Sequence, residues 1–357
     1  MKKIVLYIPL AVCIFAVSFF GSYSVTAMLV DDGYTVASVP ALPVDTVEIT
    51  ISAVGDCTLG TDVSFSGAGS FPAELAGNDK DYSYFLSGVR SYFEDDDLTI
   101  VNLEGTLSDR GTRAKKTYAF RGKPQYAQIL SGSSVEAANL ANNHTMDYGK
   151  AAYEDTKRHL SANGITSFGS SDISVMDIKG IKVGLIGTSA LSSADRTNYP
   201  KAFKELKAMS PDLIIATFHW GAERAIKPNR DQISLARTAI DNGADLVIGH
   251  HPHVLQGVEK YKGKYIVYSL GNFCFGGNKN PVDKDTMIFR QTFTFEKGSL
   301  TEDDNAGIIP CSVSSVQNRN NYQPVPLKGA DFKRVVKKIV NRSADYDGIE
   351  NVSFIGR

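Results

Sequence analysis

Three of the six histidines in the chain fall within five residues, Gly249-His250-His251-Pro252-His253. Neutral imidazole is the commonest protein ligand for borderline metals. His251 and His253, two residues apart, would share one face of a strand. In a loop after a strand both can turn onto one ion, and Pro252 between them would stiffen that loop. His144 and His219 each stand at the end of an apolar run, and only His159 lies elsewhere, on a predicted helix. A polar loop with incidental histidines is the plainer reading of one His-x-His. Two further strand-end histidines weigh against it.

The same position recurs for other side chains. Asp56, Glu104, Asn143, His144, His219, His251, His253 and Asn272 all follow the C-terminal end of a predicted strand or apolar run. In α/β sheets that edge binds ligands, because the loops converge above the strand ends. Taken singly, Asp56 is an Asx-turn former before Gly60, and Glu104 a helix cap or salt-bridge partner. Turn chemistry does not explain six segments ending this way. Carboxylates, an amide and imidazoles form a mixed oxygen and nitrogen set, better suited to Mn, Zn, Fe or Ni than to Ca. Glu104 can bridge two ions with its two oxygens. Two ions about 3.5–4 Å apart can activate one water and neutralise a charged leaving group. If the set converges, His251 and His219 serve one ion and Asp56 and His253 the other, with Glu104 between.

The elements that must position these residues alternate along the chain. Strands are expected over Val47–Val54, Leu98–Leu103, Val135–Ala141, Ile181–Ile186, Leu213–Phe218, Leu246–Ile248 and Tyr265–Leu270. Helices are expected over Tyr82–Phe93, Asp147–Asn163 and Asp231–Asn242. The pattern is α/β. After residue 295 the chain reads as an extension over 296–357 packed on the domain. It carries a strand-like stretch, Gly307–Val316, and a basic helix, Asp331–Asn341.

Composition is that of an ordinary globular protein: 357 residues, 43% hydrophobic and 22% charged. A net charge of −1 without a long basic run argues against nucleic acid as partner. Four cysteines at these spacings form neither a disulfide scaffold nor a zinc module. Lys2 and Lys3 precede the apolar run Ile4–Phe20, so residues 1–30 read as a membrane anchor or signal segment. Positive charge before the run sends the rest of the chain outside the cytoplasm. A single-pass membrane protein is expected, with secretion after cleavage near Val25 and Ala27 as the alternative. Residues 31–46, with Pro40 and Pro43 among small residues, read as a linker, and 47–295 as the main domain.

Six blocks appear in order: Gly55-Asp56-Cys57-Thr58-Leu59-Gly60, Asn102-Leu103-Glu104, Asn142-Asn143-His144, His219-Trp220-Gly221-Ala222-Glu223, the histidine cluster, and Ser269-Leu270-Gly271-Asn272-Phe273. Together with Tyr118-Ala119-Phe120-Arg121-Gly122-Lys123-Pro124, they resemble the CapA-type capsule-biosynthesis and poly-γ-glutamate-synthesis proteins. That family is similar to the calcineurin-like metallophosphoesterases. The resemblance implies a two-sheet sandwich flanked by helices. It also implies an anionic surface polymer and other membrane subunits of a synthesis or export complex as partners. It makes Asp56 the first aspartate ligand and puts Glu104 in place of the bridging aspartate. Asn143, His219, His251 and His253 become further ligands, and His144 the group that protonates the leaving atom. A phosphoesterase has a histidine where this chain has Thr58, so one ion loses a nitrogen ligand and its site should be the weaker. Glu223 is placed to compensate, and Asn272 and Glu223 to meet substrate. Arg121 and Lys123 could hold a carboxylate or phosphate at the mouth, Arg121 by a two-pronged contact.

The expected function is metal-assisted hydrolysis or transfer on an anionic capsule polymer, with His144 as general acid. Thr58 favours the rival reading, a non-catalytic polymer-binding or assembly subunit. A phosphatase for small substrates is a third.

Overall fold

The computed structural model describes residues 45–356. The expected membrane segment and most of the linker lie outside that range. Among the described residues no helix is long and apolar enough to cross a membrane.

The strands are β1 (Thr46–Thr58), β2 (Leu98–Leu103), β3 (Thr106–Leu107), β4 (Arg121–Gly122), β5 (Ala137–Asn139), β6 (Thr166–Phe168), β7 (Ser174–Ile178), β8 (Ile181–Ser189) and β9 (Leu213–His219). They continue as β10 (Leu246–His250), β11 (Val258–Tyr261), β12 (Lys264–Val267), β13 (Asn272–Phe275), β14 (Asp285–Glu296), β15 (Ser299–Ser312), β16 (Val325–Pro326) and β17 (Ser353–Phe354). The helices are α1 (Phe71–Gly77), α2 (Arg90–Glu94), α3 (Ala127–Ser131), α4 (Gly149–Ala162), α5 (Ser193–Ala208), α6 (Arg230–Asp241) and α7 (Gly329–Ser343).

Two mixed sheets face each other. The larger runs β16-β15-β14-β1-β2-β5-β6, with β13 also paired to β1 and β17 to β15. The smaller runs β11-β12-β10-β9-β8-β7. In the larger sheet β1, β2, β5, β6 and β13 are parallel; in the smaller, β8, β9, β10 and β12 are. Buried parallel strands have both faces covered, so their sequences are continuous apolar runs. β9 illustrates this. Leu213 and Ile215 face Ile49, Ile51, Leu98 and Ile100 of the other sheet. Ile214, Ala216 and Phe218 face outward onto Phe203, Leu206, Ala236 and Ile240 of α5 and α6. On the far side of the larger sheet, Val54, Val101 and Leu103 pack with Phe93, Ile129, Leu130 and Leu160 of α2, α3 and α4. The result is a two-sheet sandwich flanked by helices, four layers deep. Each fully buried Leu, Ile or Phe contributes about 1.5–3 kcal/mol of transfer free energy.

Several expected elements have different bounds. β2 runs as read from the sequence, whereas the helix expected over Tyr82–Phe93 is a 3₁₀ turn, Tyr82–Tyr84, and the short α2. Gly88 between them presses on Pro324 and Val325, where a Cβ would lie 2.6 Å from the Pro324 carbonyl. Only a residue without a Cβ fits at this contact. The chain after 295 is woven into the larger sheet. β15 pairs along nearly all of β14, and Val335 and Ile339 of α7 enter the core between the sheets.

Candidate metal centre

The parallel strands of both sheets end at one edge, and the site is assembled there. β1 comes unusually close to the turn before β13. A Cβ on Gly55 would sit 2.1 Å from the Gly271 carbonyl, so only glycine fits. The next residue, Asp56, donates its N–H to that carbonyl at 2.9 Å. Its carboxylate is fully buried. Oδ1 accepts from Asn102 Nδ2 at 2.8 Å and lies 3.3 Å from His250 Nδ1. Oδ2 lies 3.0 Å from His253 Nδ1 and accepts the His251 N–H at 3.3 Å. Burial raises the Asp56 pKa, but His250 and His253 outweigh it and hold the carboxyl well below its ordinary value.

Asn102, fully buried on β2, ties the two sheets' contributions together. Its Nδ2 also approaches His219 Nδ1 at 3.3 Å and Glu104 Oε1 at 3.5 Å. Its Oδ1 accepts from Asn139 at 3.0 Å and Asn142 at 3.3 Å. Asn142 Nδ2 further donates to the Leu103 carbonyl at 2.9 Å, which locks the loop after β5 onto β2. That loop carries Asn143 and His144. Asn143 Oδ1 lies 2.9 Å from His219 Nε2. His144 Nδ1 lies 2.6 Å from Asp147 Oδ2, and Lys116 donates to the other Asp147 oxygen at 2.8 Å. A carboxylate accepts only, so Nδ1 carries the proton and Nε2 is the nitrogen left free. The His144 ring also lies against Phe120, with centroids 4.3 Å apart. Burial, its largest influence, lowers the His144 pKa despite Asp147.

The smaller sheet brings the other histidines. His219 ends β9, fully buried, with Nε2 3.7 Å from Glu104 Oε1. Gly249 on β10 allows the close approach of Trp220, whose Nε1–H donates to the Tyr268 carbonyl at 2.9 Å. Past His250, His251 and His253 hold φ of +94° and +58°. Left-handed values in residues other than glycine cost on the order of 1–3 kcal/mol each. The loop keeps them because Asp56 accepts the His251 N–H and the Pro252 carbonyl accepts the Arg224 N–H at 2.8 Å. The His219 and His251 rings stand 4.7 Å apart, and those of His251 and His253 5.7 Å.

Two lobes result. Asp56, Glu104 and His253 each offer a ligand atom, all within 4.8 Å of one another. His219 joins Asn143, His251 and Glu104, each of which it approaches. Whether these residues suit divalent cations is tested by their unmet bonding. Glu104 Oε2, His251 Nδ1 and His250 Nε2 are buried without a hydrogen-bond partner among the described residues. Burial first, and the Asp56 charge second, push the Glu104 pKa well above its ordinary value. Burial lowers the His253 pKa, but Glu104 and Asp56 outweigh it and raise it to about 9. Burial and the His253 charge lower His251 to about 4. A buried acid pair with orphan oxygen and nitrogen lone pairs is a donor set that a cation satisfies. Thr58, where a further histidine ligand was in question, has a buried hydroxyl with no partner among the described residues.

A cavity of about 460 Å³ opens beside the centre, bordered by His144, His253 and Asn272 and walled by Tyr118, Phe120 and Phe275. Asn272 Oδ1 lies 2.9 Å from His253 Nδ1. Glu223 also lines this cavity, in the exposed loop after β9. Arg121 and Lys123 do not line it. The Arg121 guanidinium lies 3.6 Å over the Tyr148 ring and bonds the Arg110 and Gly111 carbonyls. Lys123 pairs with Asp109 at 2.7 Å and borders a separate groove with Tyr82 and Tyr126. Their local contacts thus hold both away from the centre. Sequence reasoning assigned no role to Asn102, Asp147, Lys116 or His250. Asp147 could have been found as an i,i+3 partner of His144, and His250 as the first member of its own cluster.

Residues 50–277 match the family model described as bacterial capsule synthesis protein PGA_cap. The chain belongs to this family. Relatives of the PGA_cap chain include the capsule biosynthesis protein CapA of Bacillus anthracis, 29% identical over 256 residues, covering 64% of this chain and 60% of that one. The PGA biosynthesis protein CapA of Bacillus subtilis is 30% identical over 251 residues, covering 64% and 63%. The match therefore spans under two thirds of the length of these curated relatives. Solved structures overlap more loosely. Sulfate thiohydrolase SoxB of Thermus thermophilus gives a TM-score of 0.41 at 13% identity, covering 83% of this chain and 60% of that one. The NAD nucleotidase NadN of Haemophilus influenzae gives 0.38 at 12%, covering 87% and 57%. Overlaps this low establish no shared chemistry.

Proposed function

We propose that this PGA_cap-family chain acts on an anionic capsule polymer of the poly-γ-glutamate kind, at a divalent-metal cleft held outside the cytoplasm. Its N-terminal apolar segment would tether it to the membrane beside other subunits of a synthesis or export complex. One observation carries the reading: the buried Asp56–Glu104 pair beside His253, with Glu104 Oε2 and His251 Nδ1 left unpartnered. Asp56, Glu104 and His253 would hold one ion, and Glu104, Asn143, His219 and His251 a second. Bound Mn, Zn or Fe supplies an electrophile that activates water and neutralises developing charge. Asp147 fixes the His144 ring through Nδ1, which leaves Nε2 free to take up the second proton of an imidazolium and give it to the leaving atom.

Thr58 keeps a second reading alive, a polymer-binding subunit that uses the same cleft without turnover. Poly-γ-glutamate incubated with the chain and Mn or Zn, then sized by chromatography, separates the two. The proposal expects shortening by wild type, and binding without shortening by His144→Ala at unchanged metal content. Wild type that binds and never shortens the polymer selects the binding subunit. Wild type that does neither contradicts both.

A further inference from the structure

The metal centre stands in the middle of the strand-end edge, and cavities lie on both flanks of it. The first borders His144 and His253 and combines the rings of Tyr118, Phe120 and Phe275 with the charged Glu223, Arg224 and Asp283. The second, about 420 Å³, opens at the ends of β6 and β8, where Ser170, Thr188, Ser189, Tyr199, Lys201 and Glu205 line it. Its distance from the centre follows from register. Ser189 stands opposite His219 in the β8–β9 ladder, and the Ala190 N–H donates to the His219 carbonyl at 2.8 Å. Neighbouring strands run about 4.8 Å apart, so this cavity begins one strand from His219. On its other side Ser170, at a φ of +61°, donates its N–H to the Gly187 carbonyl at 3.0 Å.

The second cavity is hydroxyl-rich where the first mixes aromatic rings with charged groups. Tyr199 is 2% exposed, and its hydroxyl is buried without a partner among the described residues. Phenylalanine would fill the same core volume, so the oxygen has no packing purpose. Lys201 is the lining cation, 81% exposed in its side chain and 3.8 Å from Glu205. Hydroxyl donors and one loosely paired ammonium suit amide carbonyls and carboxylates.

We infer that this second cavity is a polymer subsite, so that an anionic polyamide crosses the metal centre and occupies both flanks. The rings of the first cavity take methylene and amide faces on one side, and the hydroxyl cavity takes carbonyls and carboxylates on the other. The cleft then engages the interior of a chain, not its end. The inference rests on the reading of the cleft as a polymer site.

The test is fluorescence anisotropy with end-labelled γ-glutamyl trimer and decamer. The protein is the full-length chain carrying His144→Ala, in which turnover is removed. The decamer should bind at least roughly tenfold more tightly than the trimer. Ser171→Trp, on the exposed rim of the second cavity, and Tyr199→Phe should each weaken the decamer by roughly fivefold and leave the trimer unchanged. Tyr199→Phe decides the matter should the tryptophan variant not fold. A parent protein that binds the decamer no better than Tyr199→Phe and Lys201→Ala do overturns the second subsite and leaves the cleft reading intact. A parent that binds neither probe overturns both.

Discussion

Replacing Glu104 by Gln keeps the size of the side chain and removes its charge. In the metal-free protein Glu104 is 2% exposed, its Oε2 is unpartnered, and its ligand atom lies within 4.8 Å of Asp56 and His253. Two carboxylates so close and so buried repel, and a cation between them removes the repulsion. With free metal at about a hundred times Kd, binding stabilises the native state by about 2.7 kcal/mol. For a domain of roughly 300 residues the unfolding entropy is about 0.6 kcal/mol per kelvin, so the melting temperature rises by roughly 4 °C. An amide cannot bridge two ions, and in Glu104→Gln the rise should shrink to roughly 1 °C or less at the same metal concentration. The metal-free variant should melt no lower than metal-free wild type, because burial and the Asp56 charge already favour the neutral form of Glu104, which the amide resembles. Calorimetry in EDTA and in Mn or Zn measures both. An equal metal-induced rise in the two proteins, or a metal-free variant several degrees less stable, would refute the reasoning.

Metal must displace the proton on His253, whose pKa is raised to about 9 by Glu104 and Asp56 against the lowering effect of burial. Apparent metal affinity, followed by isothermal titration, should therefore keep rising with pH through neutrality towards about 9, and a plateau by pH 7 would contradict this. Glu136 on the opposite edge is pushed from 4.5 to about 7, by burial and then by Asp96 and Asp97, against the Thr99 N–H bond. The native state binds the extra proton between those values, so this group's contribution falls as pH rises from 4.5 to 7. Full burial would make that about 3 kcal/mol and partial exposure leaves about 1–2. Glu136→Gln keeps an acceptor for Thr99 and should gain that amount at pH 8 and nothing at pH 4, read by denaturant titration. Arg121→Ala should lower the melting temperature through loss of its Tyr148 and carbonyl contacts and leave polymer affinity unchanged in low salt. Weakened binding at unchanged stability would return Arg121 to the site.

What the sequence made legible was whatever local pattern controls. Buried parallel strands are short apolar runs, and the polar residue that ends each one marks the edge where the ligands gather. Asp56, Glu104, Asn143, His219, His251 and His253 meet there. Long-range pairing was not legible. β14 and β15 form a hairpin over Asp285–Ser312 that includes the acidic run Glu302-Asp303-Asp304, which reads as a solvated loop. The strand holds through its antiparallel ladder with β14, and Lys264 and Lys260, far back in the chain, pair with Asp303 and Asp304 at 2.5 Å. α5 was missed because Pro200 lies inside it. Arg121 was read as a free cation because nothing local announces Tyr148, which the fold brings beneath its guanidinium. His250 was absorbed into a motif whose later members drew the chemistry, although its ring lies 3.3 Å from the Asp56 carboxylate.

The central claim is that the strand-end cluster binds metal, and elemental analysis of the purified full-length chain tests it most directly. Wild type, His251→Ala and His159→Ala are each supplied with Mn or Zn and freed of excess. His159 lies in the last turn of α4, outside the cluster, so its variant controls for the loss of any histidine. Wild type and His159→Ala should retain bound metal, and His251→Ala should lose most of it. Equal metal in His251→Ala and wild type, or none in wild type after supplementation, would contradict the account.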